Sequence, residues 1–263
     1  MPPAKKRPRS YDPARTRAAV LAQFGHLRAA LPALTPARLA APTRVGDLTV
    51  GDLAARPAAV LDAVARALAG PEPAKAGPPL AQWPLTSPGD TATAAPGDGA
   101  VTPAALADRY EAAARRLSDA LADVPGGRLV ETGAGALPLG DHLVTRAVEL
   151  VVLTDDLNAA VPGLGIPFDR QALAACTRLL ADALAVKAPG GSTEVRVPPF
   201  AVVQCVEGPR HTRGTPPNVV ETDPLTWIRL ATGRLAWRDA LDDAKVSAGG
   251  ERADLGGLLP LTG

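Results

Sequence analysis

The residues best placed to do chemistry share one strongly apolar stretch. Between Leu139 and Val161, the residues His142, Arg146, Glu149, Leu153 and Asp156 recur at steps of four, three, four and three. That spacing aligns side chains along one face of an α-helix. The other faces carry Leu143, Val144, Val148, Leu150, Val151, Val152 and Leu157, so this helix is expected at the centre of a bundle. A carboxylate such as Glu149 buried there requires a cation or hydrogen-bond donors, and Arg146, one turn earlier, is a local candidate. His26, His142 and His211 are scattered without ligand spacing. They read as ordinary polar residues, although His142 shares the stripe. No nucleophile, base and orienting group stand together as a catalytic set. The Gly-x-Gly in ETGAGALPLG follows no strand and lacks a third glycine at the right step, so no nucleotide loop is expected.

Positioning that stripe takes several further helices. The first runs from Asp12 to about Leu31, opening on Asp-Pro, with Val20, Leu21, Phe24, Leu27 and Leu31 at helical spacing. A short turn follows Thr35-Pro36. The second spans about Thr49 to Leu68, and Pro57 inside it predicts a kink. Residues 70–100 are Pro, Gly, Thr and Ala with Trp83 as the one large residue, which predicts a surface excursion without helix or strand. Thr102-Pro103 opens a third helix reaching about Val124, and the striped helix is the fourth. A fifth runs from Asp169 to about Lys187 and stops at APGGS. After Gly190 the pattern turns to period two and β-branched residues, at Val195 and Val197, AVVQCV, Val219 and Val220, and Val246. Two short helices, LTWIRLATG and WRDAL, lie between the strands, and DLGGLLPL makes a closing turn. The fold class expected is α+β. Residues 1–11 are expected as a disordered basic tail, 12–189 as a four- or five-helix bundle, and 190–263 as a small α+β domain.

Composition narrows the partners. Lys+Arg 28 against Asp+Glu 27 leaves a net charge of +1, so nucleic acid is not an expected partner. The basic run Lys5, Lys6, Arg7 and Arg9 is short, Pro-broken and terminal, and reads as a solvated tail. Aromatic residues make up 3% of the chain, so the core is built from small aliphatic side chains. Cys176 and Cys205 are too few for a disulfide scaffold and are expected as buried thiols. With no long apolar run and no leader pattern, a cytoplasmic protein without integral membrane association is expected.

Two strings carry a resemblance. GDLTVGDLAAR, Gly46 to Arg56, resembles the helix-two signature of the DinB-like superfamily that includes mycothiol-dependent maleylpyruvate isomerases, whose usual form is Trp-x-Val-x-Asp-Leu-Val-Ala-His. TRAVELVVLTDDL, Thr145 to Leu157, is similar to that family's Arg-x-x-Glu-x-x-x-His-x-x-Asp. The resemblance implies a DinB-like bundle with a divalent metal held by a His, the Glu and a second His. Asp52, Leu53, Arg146, Glu149 and Asp156 agree with the pattern, but Leu48 replaces the Trp, Arg56 the first His and Leu153 the second. Arg56, Glu149 and Leu153 are therefore former metal-site positions, and neither metal nor other cofactor is expected, because guanidinium and isobutyl groups do not ligate. Arg56 is expected to supply the lost positive charge by pairing with Glu149 across the two helices.

The stretch from Glu221 to Leu261, with its Leu-x-x-Gly-Arg-Leu-like ATGRLAW, resembles the terminal half of bacterial sterol-carrier (SCP2-like) domains. That likeness implies an apolar ligand, with Trp227, Ile228, Ala231, Leu235 and Trp237 as candidate lining residues. The same residues serve equally well as the packed core of a domain this small. Arg234 in the Gly-Arg-Leu motif is expected to cap the helix or bond a backbone carbonyl, without a catalytic role. The functional expectation is a sterol-carrier-like protein binding an apolar or lipid-like small molecule, joined to a non-metal-binding, non-catalytic DinB-like bundle. The alternatives are a mycothiol-dependent isomerase or transferase, and a structural or interaction module.

Overall fold

Helix starts follow the capping chemistry of the sequence. The structure, a computed structural model, describes residues 8–86, 101–208 and 217–262. Helix α1 (Pro13–Ala30) begins at Asp12, whose carboxylate accepts from the Arg15 amide at 2.8 Å. Helix α2 (Pro36–Leu39) is a single turn capped by Thr35. Helix α3 (Val50–Ala69) opens with a full capping box: the Asp52 amide donates to Thr49 Oγ1 at 3.2 Å, and the Thr49 amide donates to the Asp52 carboxylate at 2.8 Å. Thr49→Ala is expected to cost about 1 kcal/mol, read as a lower midpoint in urea; an unchanged midpoint would mean that other contacts hold this end. Helix α3 continues through Pro57, which is buried within it and does not divide it.

Residues 80–86 depart from the expected featureless excursion. Leu80–Gln82 form a 3-10 turn and α4 (Trp83–Thr86) follows it. Trp83 is buried, and removing so large an apolar ring from water is enough to order a short turn around it. Helix α5 (Pro103–Ala120) stops short of Val124. The reason is local, because Asp123 sits at φ 56 and Val124 precedes Pro125, which disfavours helical backbone at that position. A small hairpin not anticipated from the sequence, β1 (Leu129–Val130) and β2 (Leu137–Pro138), leads into α6 (Leu139–Ala160), the striped helix. Helix α7 (Arg170–Lys187) is capped by Asp169.

Helix α6 is the hub of the bundle. It packs against α1, α3 and α7, while α5 packs on α3, and residues 147–157 are all buried. Phe24 of α1 stacks on Tyr110 of α5 with ring centroids 4.8 Å apart, and the Tyr110 hydroxyl donates to the Ala54 carbonyl of α3 at 2.9 Å.

The second layer is a four-stranded sheet of β3 (Thr193–Val197), β4 (Ala201–Cys205), β5 (Val219–Thr222) and β6 (Val246–Gly249), in the order β4-β3-β5-β6. Strands β3 and β4 pair antiparallel with Val195 opposite Val203, β3 and β5 are parallel, and β5 and β6 are antiparallel. Thr193, Val195 and Val197 alternate inward along β3, as the period of two requires. Helices α8 (Pro224–Ala231) and α9 (Trp237–Asp242) complete the unit. Helix α7 packs on α1 and α6 and also on β4 and α8, so it belongs physically to both layers. Gly190, at the turn from α7 into β3, must be glycine, because a Cβ there would collide with the Val206 carbonyl.

The chain's start is anchored from Arg9 onward. Arg9 Nε donates to Asp182 of α7 at 2.8 Å and Tyr11 packs on the core, so residues 9–11 are not a solvated tail. Lys5, Lys6 and Arg7 lie outside the described residues, as does His211. Among the described residues no helix is long and apolar enough to cross a membrane.

Candidate functional site

The polar stripe on α6 divides into two unlike ends. Its first half, His142, Arg146 and Glu149, lines a cavity of about 770 Å³. The opposite wall comes from the second half of α3, at Ala63, Arg66 and Ala67. Pro71 and Pro73, Trp83 and the loop Glu131–Ala134 close the sides. Leu153, in the middle of the stripe, is buried in the core. Helical spacing thus aligned the polar residues correctly, but only its first half faces open space.

The cavity floor is a buried ion pair beside a buried imidazole. Arg146 Nη1 lies 2.8 Å from Glu149 Oε2, and Arg146 Nε donates to Thr145 Oγ1 at 3.2 Å. Glu149 is 5% exposed. Burial pushes its carboxyl up to about 7, against the opposing pull of Arg146. Burial, with Arg146 nearby, pushes the His142 imidazole down to about 3, so the ring is neutral at neutral pH. Both His142 ring nitrogens are buried without a hydrogen-bond partner. His142 is thus a buried imidazole without a partner in the cavity lining.

Of the three positions that the resemblance assigns to a metal site, Glu149 lies in the cavity lining and Leu153 in the hydrophobic core. Arg56 is buried on α3 at 8% exposure, and Arg146 of α6 pairs with Glu149. Arg146 is three residues before Glu149 on one helix, a spacing that brings the two side chains together. A divalent metal does not fit these residues. Arg56 and Leu153 offer no donor atom, and among the described residues no group of three His, Cys, Asp or Glu side chains is placed to hold a metal ion.

The far end of the stripe does something sequence reading missed. Asp155 and Asp156 are both buried near the end of α6, where three arginines meet them. Arg44 Nη2 donates to Asp155 at 2.7 Å and to Asp156 at 2.9 Å. Arg229 of α8 donates to Asp155 at 2.6 Å, and Arg234 Nη2 to Asp156 at 3.0 Å. Arg234 also donates to the Thr232 carbonyl at 2.8 Å, the backbone bond expected of it. The Gly-Arg-Leu motif thus docks the sheet layer onto the bundle's central helix. Two adjacent carboxylates on so apolar a helix were the available signal, since both must find cations.

The five candidate lining residues of the last segment sit elsewhere. Trp227, Ile228, Ala231 and Trp237 are buried in the hydrophobic core, and Leu235 is half-buried against it. None of them lines the bundle cavity. The two cysteines are buried free thiols, and burial raises the Cys205 thiol to about 11, which keeps it protonated and unreactive. His26 meets the Pro167 carbonyl at 3.1 Å and takes no part in the cavity.

Comparisons with known proteins agree with this architecture. Residues 9–158 match the family described as mycothiol maleylpyruvate isomerase N-terminal domain, and residues 169–261 match bacterial SCP ortholog. Crystal structures of the mycothiol-dependent maleylpyruvate isomerase and of a histidine-to-alanine mutant of it superpose with TM-score 0.56 at 17% identity, covering 93% of this chain and 95% of theirs. At that identity the likeness speaks to the fold. Among curated proteins nothing matches the chain.

Proposed function

Since the chain belongs to the mycothiol maleylpyruvate isomerase N-terminal domain family across residues 9–158, and no group of three His, Cys, Asp or Glu side chains among the described residues is placed to hold a metal ion, we propose that it is a binding protein for a small, largely apolar molecule. The observation that carries this reading is the cavity of about 770 Å³ between α3 and α6, a volume in the range of small-molecule sites. Apolar surface predominates, from Ala63, Ala67, Pro71, Pro73 and Trp83, beside the polar floor of His142, Arg146 and Glu149 and the charged Arg66, Glu72 and Glu131. The match of residues 169–261 to bacterial SCP ortholog supports an apolar ligand. The seat we assign to it is the bundle, in place of the helices that follow β5.

Uptake of the neutral fluorophore N-phenylnaphthylamine tests the seat. Ala67→Trp fills the cavity and is expected to weaken uptake at least about tenfold, equivalent to about 1.4 kcal/mol. A wild-type protein that takes up no fluorophore, or a variant that binds as well as wild type, would sink the proposal.

A mycothiol-dependent isomerase or transferase is the second reading, favoured by the family match and by the carboxylate retained at Glu149. It requires thiol activation without a metal. Thiol-transfer activity that disappears in Glu149→Gln would establish it, and inactivity of the wild-type protein with mycothiol would count against it.

A further inference from the structure

A second cavity, separate from the one between α3 and α6, lies where the segment before α1, the first turn of α1 and one side of α7 meet. Arg9 lines it from the segment, Asp12 and Arg15 from the start of α1, and Gln171, Ala175 and Arg178 from α7. The α7 residues stand four and three apart, so a single stripe of that helix makes one wall. The cavity holds about 260 Å³, below the range of about 300–1,000 Å³ usual for drug-sized ligands. Its size suits a small ion or a small ester.

The charges around this cavity do not balance. Three arginines line it against the single carboxylate of Asp12, and that carboxylate already accepts from the Arg15 amide as the cap of α1. Asp182, four residues past Arg178, is taken by Arg9 through hydrogen bonds of 2.8 and 3.3 Å. Arg178 donates from Nε to the Phe200 carbonyl at 3.1 Å, which tethers the side chain and leaves both Nη groups for another acceptor. Among the described residues neither Arg15 nor Arg178 has a carboxylate within ion-pair distance.

A cleft lined by one sign of charge concentrates ions of the other sign. Guanidinium groups arriving from two different helices favour an anion with oxygens on several sides. A phosphate group offers such oxygens and carries up to two negative charges, whereas a carboxylate's two oxygens are satisfied by one guanidinium fork. We propose that this second cavity binds a small phosphate-bearing anion, with Arg15 and Arg178 as its charge partners.

Calorimetric titration of the full-length protein at fixed ionic strength tests this, with inorganic phosphate, glycerol 3-phosphate and acetate as probes. At least one phosphate probe is expected to bind about tenfold tighter than acetate, and the tighter of the two identifies free ion or monoester as the source. Arg15→Gln alters an exposed side chain and is expected to weaken phosphate binding about tenfold, the scale of one hydrogen bond to a charged group. Arg178→Lys keeps the charge but gives up the fork, and should weaken binding less than Arg178→Gln does. Arg28→Gln, at an exposed pair with Glu111 outside the cavity, should leave binding unchanged. Acetate matching both phosphate probes, no binding of either phosphate probe, or an Arg15→Gln protein that binds phosphate as well as wild type would each overturn the proposal.

Discussion

Replacing Asp156 with alanine is expected to remove about 3–5 kcal/mol of folding stability, the scale for taking one partner out of a buried ion pair. The Asp156 side chain is 1% exposed and receives both Arg44 and Arg234. Without it, Arg234 is left largely buried with its charge unmatched on that side. Arg28→Ala is the control, because Arg28 and Glu111 pair at 2.8 Å with side chains 51% and 52% exposed, and such surface pairs contribute less than about 1 kcal/mol. Urea denaturation showing equal losses for the two variants would contradict this account of the interface.

Its neighbour Asp155 gives the same interface a dependence on pH. Burial acts to raise the Asp155 carboxyl, but hydrogen bonds from Arg229 and Arg44 outweigh it and hold the group below its ordinary value of 3.8. The folded state therefore keeps this proton off at pH values where the unfolded chain takes it up. The contribution to stability is complete above the ordinary carboxylate range and is lost as pH falls through the lower folded-state value. Asp155→Asn should flatten the acid limb of the stability profile, and an unaltered acid limb would show that other carboxylates govern it.

The second large effect falls in the sheet layer. Trp227→Ala is expected to cost about 3–5 kcal/mol, as for other fully buried large side chains, because Trp227 is 1% exposed within the continuous core. A ligand-lining tryptophan would behave differently, since its loss would weaken binding while leaving the unliganded protein nearly as stable. Thermal denaturation without ligand separates the two, and a loss below about 1 kcal/mol would return Trp227 to the candidate lining.

How far the fold was legible can be judged element by element. The long helices and the four sheet strands announced themselves through caps such as Asp12, Thr49 and Asp169, and through the change of period after Gly190. The hairpin of β1 and β2 has two residues per strand, too few to show any alternation. The turn at Trp83 was hidden by composition, because one ring can order a segment whose average character is that of a linker. At the site, periodicity placed His142, Arg146 and Glu149 on one face. The pairing of Asp155 and Asp156 with Arg229 and Arg234 spans more than 70 residues of chain, with separations of 74 and 78, and no local pattern records it.

Helix α7 has a consequence for dissecting the molecule. One of its sides completes the bundle and another supports the sheet, so a cut before Asp169 or after Gly190 strips one half of a wall. Either fragment would expose a row of alanines and leucines that the intact chain conceals, inviting self-association. The intact protein should accordingly melt in a single calorimetric step, its two halves gaining and losing order together.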